Sequence, residues 1–142
     1  MQTIRQVLTT KGDEIWSVTV DDTVYDTIRL MASKGIGALI VMSEGELHGI
    51  ISERDYARKV ILEGRSSRDT RVGDICSSPA ITISPRATAE EGLALMTRKR
   101  IRHLPVVEKG ELLGVISIGD LVNAVLGDQQ QLIEQLERYV TG

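Results

Sequence analysis

The chain has 142 residues, 42% hydrophobic and 26% charged, with 17 Lys+Arg against 20 Asp+Glu and a net charge of −3. That length suits one compact body of about 100–200 residues, and the charge balance speaks against a dedicated nucleic-acid binder, which carries a basic excess. No apolar run approaches the roughly 18 residues of a membrane span, and the first twenty residues, with Lys11, Asp13 and Glu14, lack a signal peptide's apolar stretch.

Residues 1–15 read as an N-terminal arm. Trp16 to Val20 is a short strand, and Thr23-x-x-Asp26 is a capping box opening a helix with Val24, Ile28 and Met31 on one face, closed by Gly35. Ala38 to Met42 is a continuous apolar strand, Ser43 to Glu46 turns around Gly45, and Leu47 to Ile51 returns antiparallel. A helix from about Glu53 to Leu62 completes this first unit, 16–63. The polar stretch 64–79 reads as a linker with one helical turn at Val72 to Ile75. The second unit, 80–127, has strand Ile81 to Ile83, capping box Thr88-x-x-Glu91 with a helix to Lys99, strands Leu104 to Val107 and Leu112 to Ile116, and helix Gly119 to Leu126. Residues 128–142 form an amphipathic C-terminal helix with Leu132, Ile133, Leu136 and Val140 at helical spacing. Such a stripe folds back or pairs with another subunit.

The second unit repeats the first. A shift of 65 positions lays Thr23 on Thr88, Gly49 on Gly114 and Asp55 on Asp120, and matches 15 of 38 residues between Thr23 and Val60 without a gap. A 60-residue unit is only marginally able to bury its own core, so the two are expected to pack together. The expected class is α+β: two pseudo-symmetric βαββα repeats packed sheet to sheet, plus the C-terminal helix.

Strands joined through a helix run parallel by a right-handed crossover, and the third returns antiparallel. One sheet edge of the first repeat therefore collects Trp16, Ser17, Gly37, Ala38, Ser52, Arg54 and Asp55. The second collects Ile81, Thr82, Arg102, His103, Ser117, Gly119 and Asp120. Each edge sets a serine and a carboxylate at a helix N-terminus, where unpaired backbone N–H groups favour an anion, and Arg54, Arg102 and His103 can add charge-assisted bonds. The purely structural account of Ser52-x-x-Asp55 and Ser117-x-x-Asp120 is a pair of capping boxes; their doubling in register weighs toward a site.

Gly49-Ile50-Ile51-Ser52-Glu53-Arg54-Asp55 and Gly114-Val115-Ile116-Ser117-Ile118-Gly119-Asp120 resemble the signature of cystathionine-β-synthase (CBS) domains: glycine, two apolar residues, Ser/Thr, two variable positions, Asp. Arg102-His103-Leu104-Pro105-Val106-Val107 is similar to the family's second-strand segment. The chain thus resembles a stand-alone CBS pair, or Bateman module, over about Trp16 to Leu126. The resemblance implies an adenosine ligand in a cleft between the repeats, AMP or NAD first, with ATP, ADP and S-adenosylmethionine as alternatives. It assigns ribose hydroxyls to Asp55 and Asp120 and phosphate to Ser52 and Ser117. Backbone groups near Ala38 and His103 would read adenine, and Trp16, Ile81 and Leu104 would pack around it. Because Gly37-Ala38 corresponds to Arg102-His103, and Arg54 to Gly119, unequal sites are expected.

The expected function is that of a non-catalytic, homodimeric adenine-nucleotide sensor acting on a separate, unidentified protein, without membrane or nucleic acid. No metal site is expected, since His48 and His103 lack ligand spacing. Cys76, with no histidine nearby in sequence, reads as a connector residue; a single cysteine forms no internal disulfide and fits reducing surroundings, so the expected compartment is the cytoplasm. Lys11 is either a solvated side chain or one that reaches a phosphate. Two other classes remain open: a dimeric scaffold with decayed sites, and an enzyme using the nucleotide as cosubstrate.

Overall fold

The computed structural model describes residues 1–12 and 14–141, apart from the side chain of Thr141. Asp13 and Gly142, which the sequence puts in the arm and the terminal helix, lie outside the described residues. The chain divides into two compact units, Ile15–Ile81 and a second made of Met1–Glu14 with Thr82–Gly142. The class is α+β, with a small sheet in each unit and a C-terminal helix.

In the unit 15–81, β1 (Ser17–Thr19) pairs parallel with β2 (Ala38–Ser43), which pairs antiparallel with β3 (Glu46–Ser52). Between β1 and β2 runs α2 (Val24–Lys34). The Thr23 hydroxyl accepts the Asp26 N–H at 3.1 Å, and Gly35 ends the helix at φ 65°, in the left-handed region that glycine reaches without strain. Beyond β3, α3 (Glu53–Tyr56) continues as a π-helix, Ala57–Ile61. The helix expected over 53–62 is therefore present in a widened form, with Leu62 N–H bonding to the Ala57 carbonyl.

The stretch 64–79 does more than connect. It carries α4 (Val72–Ile75), whose Val72 and Ile75 share a core with Val24, Met31, Leu39, Val41, Ile51 and Val60. Reciprocal backbone bonds between Ile50 and Ser77, 3.0 and 2.9 Å, tie its end to β3.

In the other unit, β4 (His103–Glu108) pairs antiparallel with β5 (Glu111–Ser117), and α5 (Ala89–Lys99) packs on α6 (Ile118–Thr141). The strand expected at 81–83 is reduced to one parallel bridge between Ile83 and Val106. Pro79 and Pro85, which lack a backbone donor, bracket the stretch and leave little room for a ladder.

The first residues form α1 (Ile4–Lys11) where an arm was expected. Thr3-x-x-Gln6 is a complete capping box, and Ile4, Val7 and Leu8 are buried on one face. Ala89 N–H bonds to the Gln2 carbonyl and Thr3 bridges Thr88, just as Val24 N–H bonds to the Thr70 carbonyl and Thr23 bridges Arg71. Hence α1 stands to the second repeat as α4 stands to the first.

Gly127 does not end α6, which runs unbroken into the tail, so the two helices expected at 119–126 and 128–140 are one. A mid-helix glycine costs only about 1 kcal/mol relative to Ala. Leu126, Leu132, Ile133, Leu136, Tyr139 and Val140 are exposed along it.

The matched glycines of the repeat tolerate a side chain differently. A Cβ at Gly49 would lie 2.2 Å from the Ser77 carbonyl oxygen, whereas one at Gly114 would meet the tip of the Leu8 side chain at 2.9 Å. Gly49→Ala is therefore expected to cost about 1–3 kcal/mol and Gly114→Ala clearly less. Denaturant midpoints of the two variants check this, and equal losses would refute the distinction.

Candidate ligand-binding sites

Each site is built where the last strand of a repeat turns into a helix. In the first repeat, Ala38 sits opposite Ser52 at the edge of the sheet, and Glu53 N–H bonds to the Gly37 carbonyl at 3.0 Å. Ser52 caps α3 reciprocally: its backbone N–H donates to Asp55 Oδ2 at 2.9 Å, and its Oγ accepts Asp55 N–H at 3.2 Å. Lys59 Nζ lies 3.5 Å from Asp55 Oδ1 and donates to the Ile75 carbonyl at 2.9 Å. Ser17 stands opposite Ile40 on the neighbouring strand, and Trp16, just before β1, accepts the Ile40 N–H at its carbonyl. The Trp16 ring is partly exposed and lies under the ammonium of Lys34, 4.1 Å from the ring centre, a cation–π contact. Arg54 is exposed on α3.

In the second repeat, His103 sits opposite Ser117, and Ile118 N–H bonds to the Arg102 carbonyl at 2.8 Å. Ser117 N–H donates to Asp120 Oδ2 at 2.8 Å and Asp120 N–H to Ser117 Oγ at 3.2 Å. Lys11, from α1, reaches the same Oδ2 at 2.7 Å and the Val115 carbonyl at 2.7 Å. Arg102 and Gly119 are exposed, and Leu104 is fully buried beside Ile116. Thr82 is exposed at the start of this part of the unit, and Ile81 is the last residue of the other one.

The fold thus brings Gly37, Ala38, Ser52 and Asp55 together, and Arg102, His103, Ser117 and Asp120 together. The pairing of Lys59 with Asp55 has a local signal, a lysine four residues after a carboxylate on a helix. The partnership of Lys11 with Asp120 has no local signal, being made across 109 positions of chain, 120 less 11.

The electrostatics differ between the sites. Burial tends to raise the Asp120 carboxyl, but the hydrogen bonds from Lys11 and from Ser117 N–H outweigh it and hold the group below the ordinary carboxylate range. Burial, reinforced by the Lys11 charge and opposed by Asp120, holds the His103 imidazole below its usual value. Cys76, half-buried in the first unit, is shifted up by burial and then by the Asp55 charge, which keeps the thiol protonated and a poor nucleophile.

The model of the CBS domain matches residues 4–62 and 72–127. The chain belongs to the CBS domain family. CBSX3, a mitochondrial CBS domain-containing protein of Arabidopsis thaliana, is 43% identical over 149 residues, which covers 99% of this chain and 72% of the relative. Among solved structures, a CBS-domain protein from Burkholderia ambifaria is 50% identical, with a TM-score of 0.86 over 90% of this chain and 96% of the other. A hexameric CBS-CP12 protein from bloom-forming cyanobacteria is 28% identical, with a TM-score of 0.76 over 84% of this chain and 70% of that one. CBS domains are in general regulatory, nucleotide-sensing modules, and the chain is a tandem pair of them. The matched range 4–62 begins in α1, which packs in the unit of the second CBS repeat. Among the described residues no helix is long and apolar enough to cross a membrane.

A histidine whose folded value lies below its unfolded one takes up its proton more readily in the unfolded chain. The native state is then fully favoured above the unfolded value of about 6.5 and loses stability as pH falls beneath it. For Asp120 the contribution is present above about pH 4 and is lost as pH falls through the lower folded value. His103→Gln should flatten the melting temperature between about pH 7 and 5, and Asp120→Asn should flatten only the acid limb. An unaltered wild-type slope in His103→Gln would show that another group titrates there.

Proposed function

We propose that this CBS pair is a non-catalytic sensor that binds an adenosine compound, AMP or NAD first, with ATP, ADP and S-adenosylmethionine as alternatives. The observation that carries the reading is the doubled serine–aspartate cap at matched strand ends, each carboxylate facing a lysine. Asp55 and Asp120 are the acceptors for ribose hydroxyls. Ser52 and Ser117, with the adjoining helical N–H groups, serve the phosphate. Backbone at Ala38 in the first site and at His103 in the second reads the base, with the exposed Trp16 ring next to the first; Leu104, expected to pack around the base, is fully buried and offers it no surface. The side chain of Asp120 is 24% exposed against 12% for Asp55, which favours the second repeat as the first to fill. The single cysteine supports a reducing compartment, the cytoplasm. The output is passed to a separate protein.

Thermal unfolding with AMP, ADP, ATP, NAD, NADH and S-adenosylmethionine tests the reading. A ligand at 100 times its dissociation constant stabilises the native state by about 2.7 kcal/mol, a rise of roughly 5–11 °C for a chain of this size. The expected result is a shift with one adenosine compound, none with its guanosine counterpart, and its loss in the double variant Asp55→Ala, Asp120→Ala. Absence of any shift at millimolar ligand would sink the sensor and favour an interaction scaffold.

Self-association is the second part of the proposal. The apolar side chains Leu132, Ile133 and Leu136 are exposed at helical spacing on the tail of α6, a stripe suited to pairing with a second copy of the chain. Ending the chain after Gln129 keeps Asp128, whose carboxylate accepts Gln2 N–H at 3.0 Å. Light scattering of that variant should report a smaller assembly; an unchanged mass would remove the tail from the dimer.

A further inference from the structure

Lys11 closes α1, with its side chain 36% exposed and its helix held in place by buried Ile4, Val7 and Leu8. An ammonium has three N–H donors, and two of them point at Asp120 Oδ2 and the Val115 carbonyl. Asp120 Oδ2 also accepts the Ser117 N–H, so the oxygen that holds the helix cap carries an ammonium as well. The first repeat is arranged otherwise. There Lys59 faces Oδ1 of Asp55 at 3.5 Å, across from the Oδ2 that accepts Ser52 N–H.

An uncharged ribose diol approaching Asp120 must share the carboxylate with an ammonium at 2.7 Å or displace it. A ligand with a phosphate hands that ammonium a replacement counter-ion within the reach of one flexible four-carbon side chain, and α1 need not move. Arg102, exposed beside His103 on the same edge, adds a second cation. Together Lys11, Arg102 and Asp120 make an edge with one excess positive charge, suited to an anion.

We propose that Lys11 is a specificity-determining residue of the second-repeat site: its ion pair with Asp120 disfavours unphosphorylated nucleosides, and its transfer to phosphate favours nucleotides. The proposal rests on the adenosine-ligand reading above and assigns to α1 a part in choosing the ligand.

Calorimetric titration of the full chain and of Lys11→Met with AMP and with adenosine tests it, with Lys109→Met, in the β4–β5 turn at the far end of the hairpin from Ser117, as the comparison. In the wild type AMP should bind more tightly than adenosine. In Lys11→Met the ratio of the two affinities should fall about tenfold or more, the scale of one charge-assisted hydrogen bond, with AMP weakened and adenosine unchanged or tighter. Lys109→Met should leave the ratio within about threefold, short of the loss of one such bond. The ratio, unlike either affinity alone, is insensitive to a general loosening of the fold. An unchanged ratio in Lys11→Met overturns the role of Lys11 while leaving the sensor standing. A wild-type chain that binds AMP no more tightly than adenosine overturns the role outright, and one that binds no adenosine compound overturns the sensor as well.

Discussion

The arrangement of both sites depends on one reciprocal turn, in which the serine ending a strand and the aspartate three residues later hold each other's backbone N–H groups. A helix N-terminus leaves its first amides without intrahelical partners, and this turn satisfies one of them while anchoring the carboxylate. The serine is also the last residue of the ladder, opposite Ala38 in one repeat and His103 in the other. Strand register therefore decides which side chain faces the carboxylate, and a slip by one residue would turn that side chain to the other face.

A βαββα unit of this size is only marginally able to close its own core. Each repeat is completed by a short helix from outside the motif: α4 brings Val72 and Ile75, and α1 brings Ile4, Val7 and Leu8. The equivalence is geometric, with matching backbone bonds from Val24 to Thr70 and from Ala89 to Gln2. Since α1 ends in Lys11, the element that completes the second core also delivers a charge to the second site.

Both sites oppose a lysine to the aspartate, yet by unrelated routes. Lys59 comes from the next turn of the same helix, and position 124, its match in the second repeat, is Ala124, buried against the core. The charge there is supplied by Lys11 instead. The pseudo-symmetry of the sequence thus extends to the chemistry of the sites without extending to the residues that provide it. Asp120 is the more exposed of the two carboxylates and His103 stands where Ala38 does, so the sites differ in access and charge.

Much of this was legible in the residues alone. The Thr23 and Thr88 caps, the turn at Gly45 and the Ser-x-x-Asp signatures rest on interactions within a few positions, and together with the 65-residue shift they specified two like units. The strand expected at Ile81 to Ile83 shrank to a single bridge because pairing depends on flanking backbone donors, and the stop expected at Gly127 failed because its helix continued at little cost. The helix in place of an arm at residues 1–15 has a local signal in the Thr3 and Gln6 capping box, but its burial depends on the second repeat. What only the tertiary structure decided was partnership over distance: that α1 completes the second repeat, that Ser77 closes over Gly49, and that Lys11 meets Asp120. Local pattern reports which face of an element seeks burial, whereas the surface that receives it is chosen by the packing of the whole unit.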